Sequence, residues 1–220
     1  MPVRAEEVDE QPRTTRAAAT RQRVIETARN CIAELGPLGA SSNEIARRAG
    51  VSWGVIQYHF GTRTGILLAV IEDGFDDLLD VLDRYDPTTS PCASDRIEDV
   101  ADAIWSYCAQ PDYMLYMDVL RLLTHDPDSR SAVGETLART EQQLSSRINR
   151  LLRDIVEGEA AITTIRSLIF ATMRGLALKQ SFTRASTEEP DADAFAATER
   201  SLFVRALSLA VADSGRGGPQ

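Results

Sequence analysis

Apolar residues recur along the chain with the spacing of α-helices from about residue 18 to residue 213. They return every third or fourth position, which places them on one helical face, and no period-two alternation indicates a strand. The first predicted helix runs from about Ala18 to Leu35, where Gly36 and Pro37 end it. The pattern therefore predicts an all-α protein of about nine helices.

Two short helices are predicted directly after the first one. The run from Ser41 to Glu44 has the form of a capping box, in which hydroxyl and carboxylate each accept from a backbone amide. It opens a helix over 42–49, and Gly50 turns the chain into a third helix over about 53–60. Two short helices joined by a tight glycine turn are typical of a helix-turn-helix motif.

Six longer helices are predicted behind this motif. Their ranges are about 64–84, 94–109, 113–124, 127–157, 160–184 and 191–213. Asp126 is expected to cap the seventh helix, with Pro127 in its first position. Four segments follow from these elements: a disordered leader (1–16), a helix-turn-helix domain (17–63), a larger helical domain (64–213) and a flexible tail (214–220).

Charge is distributed unevenly between these segments. The whole chain carries a formal charge of -9. From Arg13 to Thr64, however, eight arginines face three glutamates, a local charge of +5, whereas the residues from Gly65 onward carry -11. A basic head on an acidic body is suited to neutralising phosphates at one end of the molecule.

Residues 20–68 resemble the DNA-binding domain of the TetR family of transcriptional regulators. The resemblance is carried by four runs: Arg21-Gln-Arg-Val-Ile25, Ser41-Ser-Asn-Glu-Ile-Ala46, Gly50-Val-Ser-Trp-Gly-Val-Ile-Gln-Tyr-His-Phe60 and Arg63-Thr-Gly-Ile-Leu67. Over the remaining 150 or so residues, the likeness is one of helix number and length only. The resemblance implies a sequence-specific DNA-binding transcriptional regulator, a ligand-responsive repressor that binds a palindromic operator as a dimer.

The chain departs from the family pattern at two places. Gln57 stands where tyrosine is frequent, which we expect to alter base or backbone contacts. Thr64 and Gly65 replace a usual acidic pair, which we expect to loosen the start of the fourth helix. Neither change threatens the predicted fold.

The third helix is expected to enter the major groove, because that groove admits one helix end. Its candidate base-reading residues are Ser52, Trp53, Gly54, Val55 and Gln57. Gln57 can pair with an adenine edge and Val55 can touch a thymine methyl. Trp53 has an alternative role, packing on a neighbouring helix.

A second set of polar side chains is better placed for phosphates, which fix the register on DNA without reading sequence. The set comprises Arg21, Ser41, Ser42, Tyr58, His59, Arg63 and Thr64. For the arginines, the alternative is an ordinary solvated surface.

The last two helices are the candidates for a homodimer interface, since their apolar faces exceed what one surface helix needs. The residues singled out are Leu168, Thr172, Gly175, Leu176, Leu207 and Val211. The alternative is that these faces are buried within one subunit.

Aromatic and methionine side chains in the middle helices suggest an apolar pocket for a small-molecule effector of unknown identity. They are Phe75, Trp105, Cys108, Tyr113, Met114, Met117, Phe170 and Met173. The alternative is an ordinary core. The resemblance implies that an effector shifts the fourth helix and so changes the spacing of the two DNA-binding heads.

Other chemistries find little support in the sequence. The run from Gly50 to Gly54 fits the G-x-S-x-G pattern of hydrolases, but that elbow needs a strand before its serine. No metal-ligand cluster or cofactor fingerprint appears, so no metal, cofactor or catalytic residue is predicted. Three widely spaced cysteines and no long apolar run predict a cytoplasmic protein without membrane contact. A helical enzyme and a constitutive architectural DNA-binding protein remain as alternatives.

Overall fold

The computed structural model describes residues 11–86, 88–89, 92–186 and 192–214, with side chains left aside at 11–14, 185–186, 192–193 and 213–214. Within these ranges all regular secondary structure is helical, which confirms the predicted all-α class. The helices are α1 (Gln11–Gly39), α2 (Ser42–Ala49), α3 (Trp53–Phe60), α4 (Arg63–Asp83), α5 (Ala93–Cys108), α6 (Pro111–His125), α7 (Arg130–Leu152), α8 (Glu159–Ser186) and α9 (Ala192–Ser214).

The described residues form two compact units. The N-terminal unit contains the described residues up to Asp73 together with Leu115–Val133, and the C-terminal unit contains Gly74–Met114 together with the described residues from Gly134 onward. The predicted functional boundary between residues 63 and 64 is a different division and stays a prediction. Helix α1 begins at Gln11, before the predicted start near Ala18, and the rest of the predicted leader (1–10) and the end of the predicted tail (215–220) lie outside the described residues.

The core of the N-terminal unit is built from the apolar stripes of its helices. Val24, Ile25 and Ala28 of α1 are fully buried, as are Ile45 of α2 and Ile56 of α3. The helical geometry of α1 breaks at Gly36, whose φ of 72° and ψ of 165° place it in a region that favours glycine. The break lies where the sequence predicted the end of the helix.

The turn between α2 and α3 is a complete Schellman motif. Gly50 has a left-handed φ of 64°, and its amide donates to the Arg47 carbonyl at 3.3 Å. The Val51 amide donates to the Ala46 carbonyl at 3.0 Å. These two bonds satisfy carbonyls that the end of a helix otherwise leaves unpaired, and they set the direction in which α3 starts.

The predicted capping box at the start of α2 is only half present. The Ser41 hydroxyl accepts from the Glu44 amide at 3.2 Å, as predicted. The Glu44 carboxylate does not return to the Ser41 amide, which donates to the Gly39 carbonyl at 2.8 Å. Instead it accepts from two arginines of its own helix, because charged donors three and four residues away outcompete a neutral amide.

The start of α4 is tightly held, contrary to the loosening expected from Thr64 and Gly65. The Thr62 hydroxyl accepts from the Gly65 amide at 3.1 Å, an N-cap bond. The Phe60 carbonyl oxygen approaches Gly65 so closely that a Cβ there would lie 2.0 Å from it. The glycine therefore allows α4 to begin directly against the end of α3.

The C-terminal unit is organised around α5, α8 and α9, which pack against one another. Its fully buried side chains include Ile97, Val100 and Ile104 of α5 and Ile169 and Met173 of α8. This packing places the long apolar helices in a common core.

Helix α7 differs from its prediction at both ends. It begins at Arg130 and ends at Leu152, well before Glu157. The Ser129 carbonyl accepts from the Val133 amide at 3.0 Å, so Ser129 and not Asp126 precedes the first turn. Asp126 is used in the preceding turn, where its carboxylate accepts from the Asp128 amide at 3.3 Å.

One described helix, Glu159–Arg184 within α8, is long and apolar enough to cross a membrane by length and composition alone. The sequence analysis expected no such segment. A single helix of this kind is weak grounds for a span, because the core helices of globular proteins pass the same test, and α8 packs against α5 and α9.

We predict that Gly65→Ala lowers the free energy of unfolding by about 1–3 kcal/mol, because the added methyl group overlaps backbone that cannot move aside cheaply. Urea denaturation with circular dichroism measures this change. The matched control is Gly134→Ala in α7, where a Cβ would meet nothing within 4 Å. That change should stabilise the protein by about 0.5–1 kcal/mol, and equal effects of the two substitutions would contradict the close approach at Gly65.

Candidate nucleic-acid interface

Helix α3 exposes most of its surface. Ile56 is its one buried residue, whereas Tyr58 is 81% exposed and Trp53 is 46% exposed. Of the predicted base-reading residues, Ser52, Trp53, Gly54 and Gln57 are exposed and Val55 is half-buried. The structure thus brings the predicted set together on one short helix, and the exposure of Trp53 argues against its packing into the unit.

The first turn of α3 keeps its polar groups accessible. Ser52 is extended (φ -76°, ψ 158°) and its carbonyl accepts from the amides of Val55 and Ile56 at 3.0 and 3.3 Å. Its hydroxyl makes no capping bond. A Cβ on Gly54 would meet only the Ser52 hydroxyl oxygen, at 3.8 Å, so the fold itself does not require glycine there. The small residue leaves room for an approaching partner.

Two predicted phosphate contacts are engaged within the N-terminal unit instead. The Arg63 guanidinium donates from Nε to the Ala40 carbonyl at 3.2 Å and from Nη2 to the Pro37 carbonyl. It therefore ties the start of α4 to the end of α1. The Thr64 hydroxyl lies 3.0 Å from the Ser129 hydroxyl, which donates to the Asp126 carboxylate.

The other members of the phosphate set lie around α2 and α3. Tyr58 is exposed and its ring meets the ring of His59 edge-on, with centroids 4.9 Å apart. Ser41 is exposed and Ser42 half-buried. The Arg21 guanidinium of α1 lies over the Phe60 ring, 5.6 Å from its centroid, a cation–π contact that joins α1 to the end of α3.

The two arginines of α2 are neutralised locally. Arg47 donates to Glu44 at 2.7 Å, and Arg48 donates to Glu44 at 2.6 Å and to Glu34 at 2.5 Å. The hydrogen bonds from Arg47 and Arg48 lower the pKa of Glu44 from 4.5 to about 2. Sequence reasoning counted both arginines as part of the basic head, whereas the structure shows that much of their charge is already compensated.

The predicted dimer residues divide into two groups in the C-terminal unit. Leu168 and Gly175 of α8 are exposed, and Thr172 and Leu176 are half-buried beside them. Leu207 and Val211 of α9 are 9% and 8% exposed, so they lie inside the unit rather than on a free face. Their burial agrees with the alternative of packing within one subunit, and their place in a dimer interface stays a prediction.

An exposed apolar seam runs along each of the last two helices. On α8 it consists of Leu168, Ala171, Gly175, Leu178 and Phe182, and on α9 of Phe195, Leu202 and Leu209. The spacings of three, four and seven residues are those of a coiled-coil seam. Of these residues, only Leu168 and Gly175 were predicted from the sequence, although the seven-residue repeat on α9 is a signal that the sequence itself carries.

Seven of the eight predicted pocket residues belong to the C-terminal unit, and Met117 belongs to the N-terminal unit. Met173 is fully buried, and Phe75, Cys108 and Tyr113 are nearly so. Trp105, Met114 and Phe170 are half-buried. Tyr107, which the prediction omitted, joins the group by stacking on Phe75 and meeting Tyr113 edge-on, with centroids 5.5 and 5.4 Å apart.

The polar end of this aromatic group is deeply buried. The Tyr113 hydroxyl has no described partner at hydrogen-bonding geometry, although the Cys108 thiol and the Arg174 guanidinium lie near it. Burial raises the pKa of the Cys108 thiol to about 12 and raises the pKa of Tyr113 as well. Both groups are therefore neutral near pH 7 and suited to hydrogen bonding rather than to proton transfer.

The cavities described in the C-terminal unit lie mainly elsewhere. One of about 540 Å³ is lined by the turn between α7 and α8 together with Ala161, Ile165 and Val211. Another, of about 240 Å³, includes Phe170 and Arg174. Of the predicted pocket residues in this unit, Phe170 borders one of these two cavities.

Comparison with known proteins identifies the N-terminal region. Residues 24–70 match the family described as bacterial regulatory proteins, tetR family. The HTH-type transcriptional regulator BetI of Escherichia coli is 33% identical over 92 residues, which cover 41% of this chain and 47% of BetI. The HTH-type transcriptional regulator CymR of Pseudomonas putida is 26% identical over 170 residues, covering 74% of this chain and 80% of CymR.

Solved structures extend the likeness to the whole fold. A putative TetR-family transcriptional regulator from Rhodococcus sp. superposes with a TM-score of 0.62 at 20% identity, covering 87% of this chain and 98% of that one. At this identity the match shows the fold alone. The chain spans about half the length of BetI, so what the remainder of the chain binds is a separate question.

We predict that Glu44→Gln flattens the dependence of stability on pH in the acid range. The pKa of Glu44 is about 2 in the folded protein, against an ordinary value of 4.5 in the unfolded chain. Its contribution to the free energy of unfolding is therefore complete above pH 4.5 and is lost as the pH falls towards 2. Urea denaturation at a series of acid pH values measures the slope. Glu26→Gln, at an exposed position of α1, is the control and should keep the wild-type slope; a variant at Glu44 that also kept it would contradict the paired geometry.

Proposed function

We propose that this chain, whose residues 24–70 match the TetR family of bacterial regulatory proteins, is a dimeric transcriptional repressor that binds a palindromic operator and responds to a small molecule. The matched family and the relatives named above are regulators rather than enzymes. The observation that carries the proposal is the exposure of α3 on a scaffold that holds it by a single buried side chain.

Reading of base edges is assigned to the exposed positions of α3. Gln57 presents an amide that can bond to N6 and N7 of adenine in the major groove. Gly54 permits the backbone to approach the duplex, and Trp53 covers sugar-phosphate or base surface from the first turn. Val55, being half-buried, is left with a smaller role than the sequence assigned to it.

Dimerisation is assigned to the exposed seams of α8 and α9. Their apolar side chains would face water in a monomer, with Leu209 and Phe195 more than 60% exposed. Pairing each helix with its copy across a two-fold axis forms an isologous four-helix bundle. The same symmetry places two copies of α3 about one turn of DNA apart, roughly 34–36 Å, which is why the operator is expected to be a palindrome.

Effector binding is assigned to the aromatic cluster around Tyr107 and Tyr113. The cluster combines an apolar body with hydroxyl, thiol and guanidinium groups, the composition of many small-molecule sites. An effector that bound better to one dimer geometry would shift the population away from the DNA-binding state. A screen in which no compound changes both the melting temperature and operator affinity would favour the constitutive DNA-binding alternative.

We predict that selection of bound sequences from random duplex DNA recovers a palindrome, and that Gln57→Ala relaxes the preference at one position in each half-site. The loss of discrimination there should be about 1–3 kcal/mol, because a bidentate contact to adenine is removed. Gln142→Ala, at an exposed position of α7 in the C-terminal unit, is the control and should leave the recovered sequence unchanged. Recovery of no enriched sequence by the wild-type protein would refute the proposed function.

We predict that Leu202→Glu converts the dimer to a monomer, because a carboxylate in the seam of α9 is desolvated against its own copy in the partner. Sedimentation velocity measures the mass directly. Ser201→Glu is the matched control, since residue 201 is exposed and lies about 100° around the helix from the seam. A dimeric Leu202→Glu variant would show that the interface lies on another face.

A further inference from the structure

Helix α1 extends well beyond the part of the chain that matches the family. It begins at Gln11, thirteen residues before the first matched residue, Val24. We call residues 11–23 the basic arm. None of residues 15–23 is buried, whereas Val24 and Ile25 are fully buried. The arm therefore stands outside the core of the N-terminal unit.

The arm has an unusual composition for an exposed helix. It contains four arginines (13, 16, 21 and 23) and no acidic residue, a formal charge of +4. Surface helices of proteins are commonly stabilised by pairs of opposite charge, which are impossible within this segment. Helix formation is favoured instead by three consecutive alanines, Ala17, Ala18 and Ala19. The positive charge of the segment has no negative partner within it.

Between the arm and Asp73, the arginines that follow in the chain are already engaged. Arg29 pairs with Asp73, Arg47 and Arg48 pair with Glu44, and Arg63 donates to backbone carbonyls. Among the described side chains up to Asp73, Arg16 and Arg23 are the two arginines without an ion pair, side-chain hydrogen bond or ring contact. Seven residues apart, they lie on one face of α1, about two turns from each other.

The arm is also tethered beside the recognition helix. Arg21 lies over the ring of Phe60, the last residue of α3. Since Arg16 and Arg23 lie five residues before and two residues after Arg21, the axial distances from this contact are about 7.5 and 3 Å. Around the helix axis, both arginines lie about 140–160° from Arg21, so α1 contacts the end of α3 with one face and presents the two free arginines on the opposite face.

We propose that the basic arm is a second DNA-contacting element, in which Arg16 and Arg23 bind phosphates of the duplex next to the segment that α3 reads. This inference rests on the proposed DNA-binding function and enlarges its interface beyond the helix-turn-helix. The partner is double-stranded DNA, because the arm is held against the end of the reading helix and its guanidinium groups match the charge of phosphates. Phosphate contacts of this kind add affinity without sequence preference.

The test compares two double variants of the full chain on the operator recovered by selection and on a random duplex. Arg16→Ala with Arg23→Ala removes the free charges of the arm, and alanine preserves its helix propensity. Arg84→Ala with Arg153→Ala removes two exposed arginines of the C-terminal unit and changes the net charge equally. Affinity is measured over a series of salt concentrations, and circular dichroism checks the helix content of each variant.

We expect the arm variant to reduce the salt slope of log K by about 0.9 for each lost phosphate contact, thus by about 1.8 per bound protomer. Operator and random duplex should weaken by the same factor, and the control variant should keep the wild-type slope. Equal slopes for the two double variants would overturn the inference while leaving the proposed function intact. A selective loss of operator binding would overturn the phosphate role, and wild-type protein that binds no duplex would overturn both proposals.

Discussion

The proposed DNA-binding surface depends on how an eight-residue helix is held while nearly all of it remains exposed. A helix of this length is not stable alone in water, because nucleation costs more than its few hydrogen bonds return. In α3 the support comes from one fully buried side chain, Ile56, and from the backbone on either side. The Schellman turn at Gly50 sets its start, and the contact between the Phe60 carbonyl and Gly65 sets its end. Because the support is concentrated in these places, the other side chains are free for recognition.

Charge in the N-terminal unit is divided by function rather than spread evenly. The arginines of α2 are neutralised by Glu44 and Glu34, and Arg63 joins the start of α4 to the end of α1. A paired guanidinium contributes less to binding of phosphate, since the existing partner must first be released. Among the described residues up to Asp73, uncompensated positive charge is consequently concentrated on α1, before the matched residues 24–70. Counting arginines along the sequence does not reveal this division.

In the C-terminal unit, only part of the apolar surface of α8 and α9 is buried in the core of the unit. The inner faces, with Ile169, Met173 and Val204, pack within the unit. The outer faces repeat every seven residues and are left to water in the isolated chain. Large exposed apolar patches are typical of surfaces that bind another protein. The same two helices thus serve the core on one side and the proposed dimer on the other, which explains why their sequences look apolar all round.

Along the described residues, the sequence by itself determined the order of the helices, the turn at Gly50 and the exposure of Trp53, Gly54 and Gln57, because these follow from local periodicity, capping and glycine conformation. It also placed a resemblance on residues that the family match then confirmed. Only the tertiary structure decided that Arg63 binds carbonyls at Pro37 and Ala40, that Thr64 meets Ser129, and that Leu207 and Val211 lie inside. The physical reason is that helical periodicity determines which side chains share one face of a helix. The residues that pack against that face belong to segments distant in the sequence, so the periodicity does not predict them.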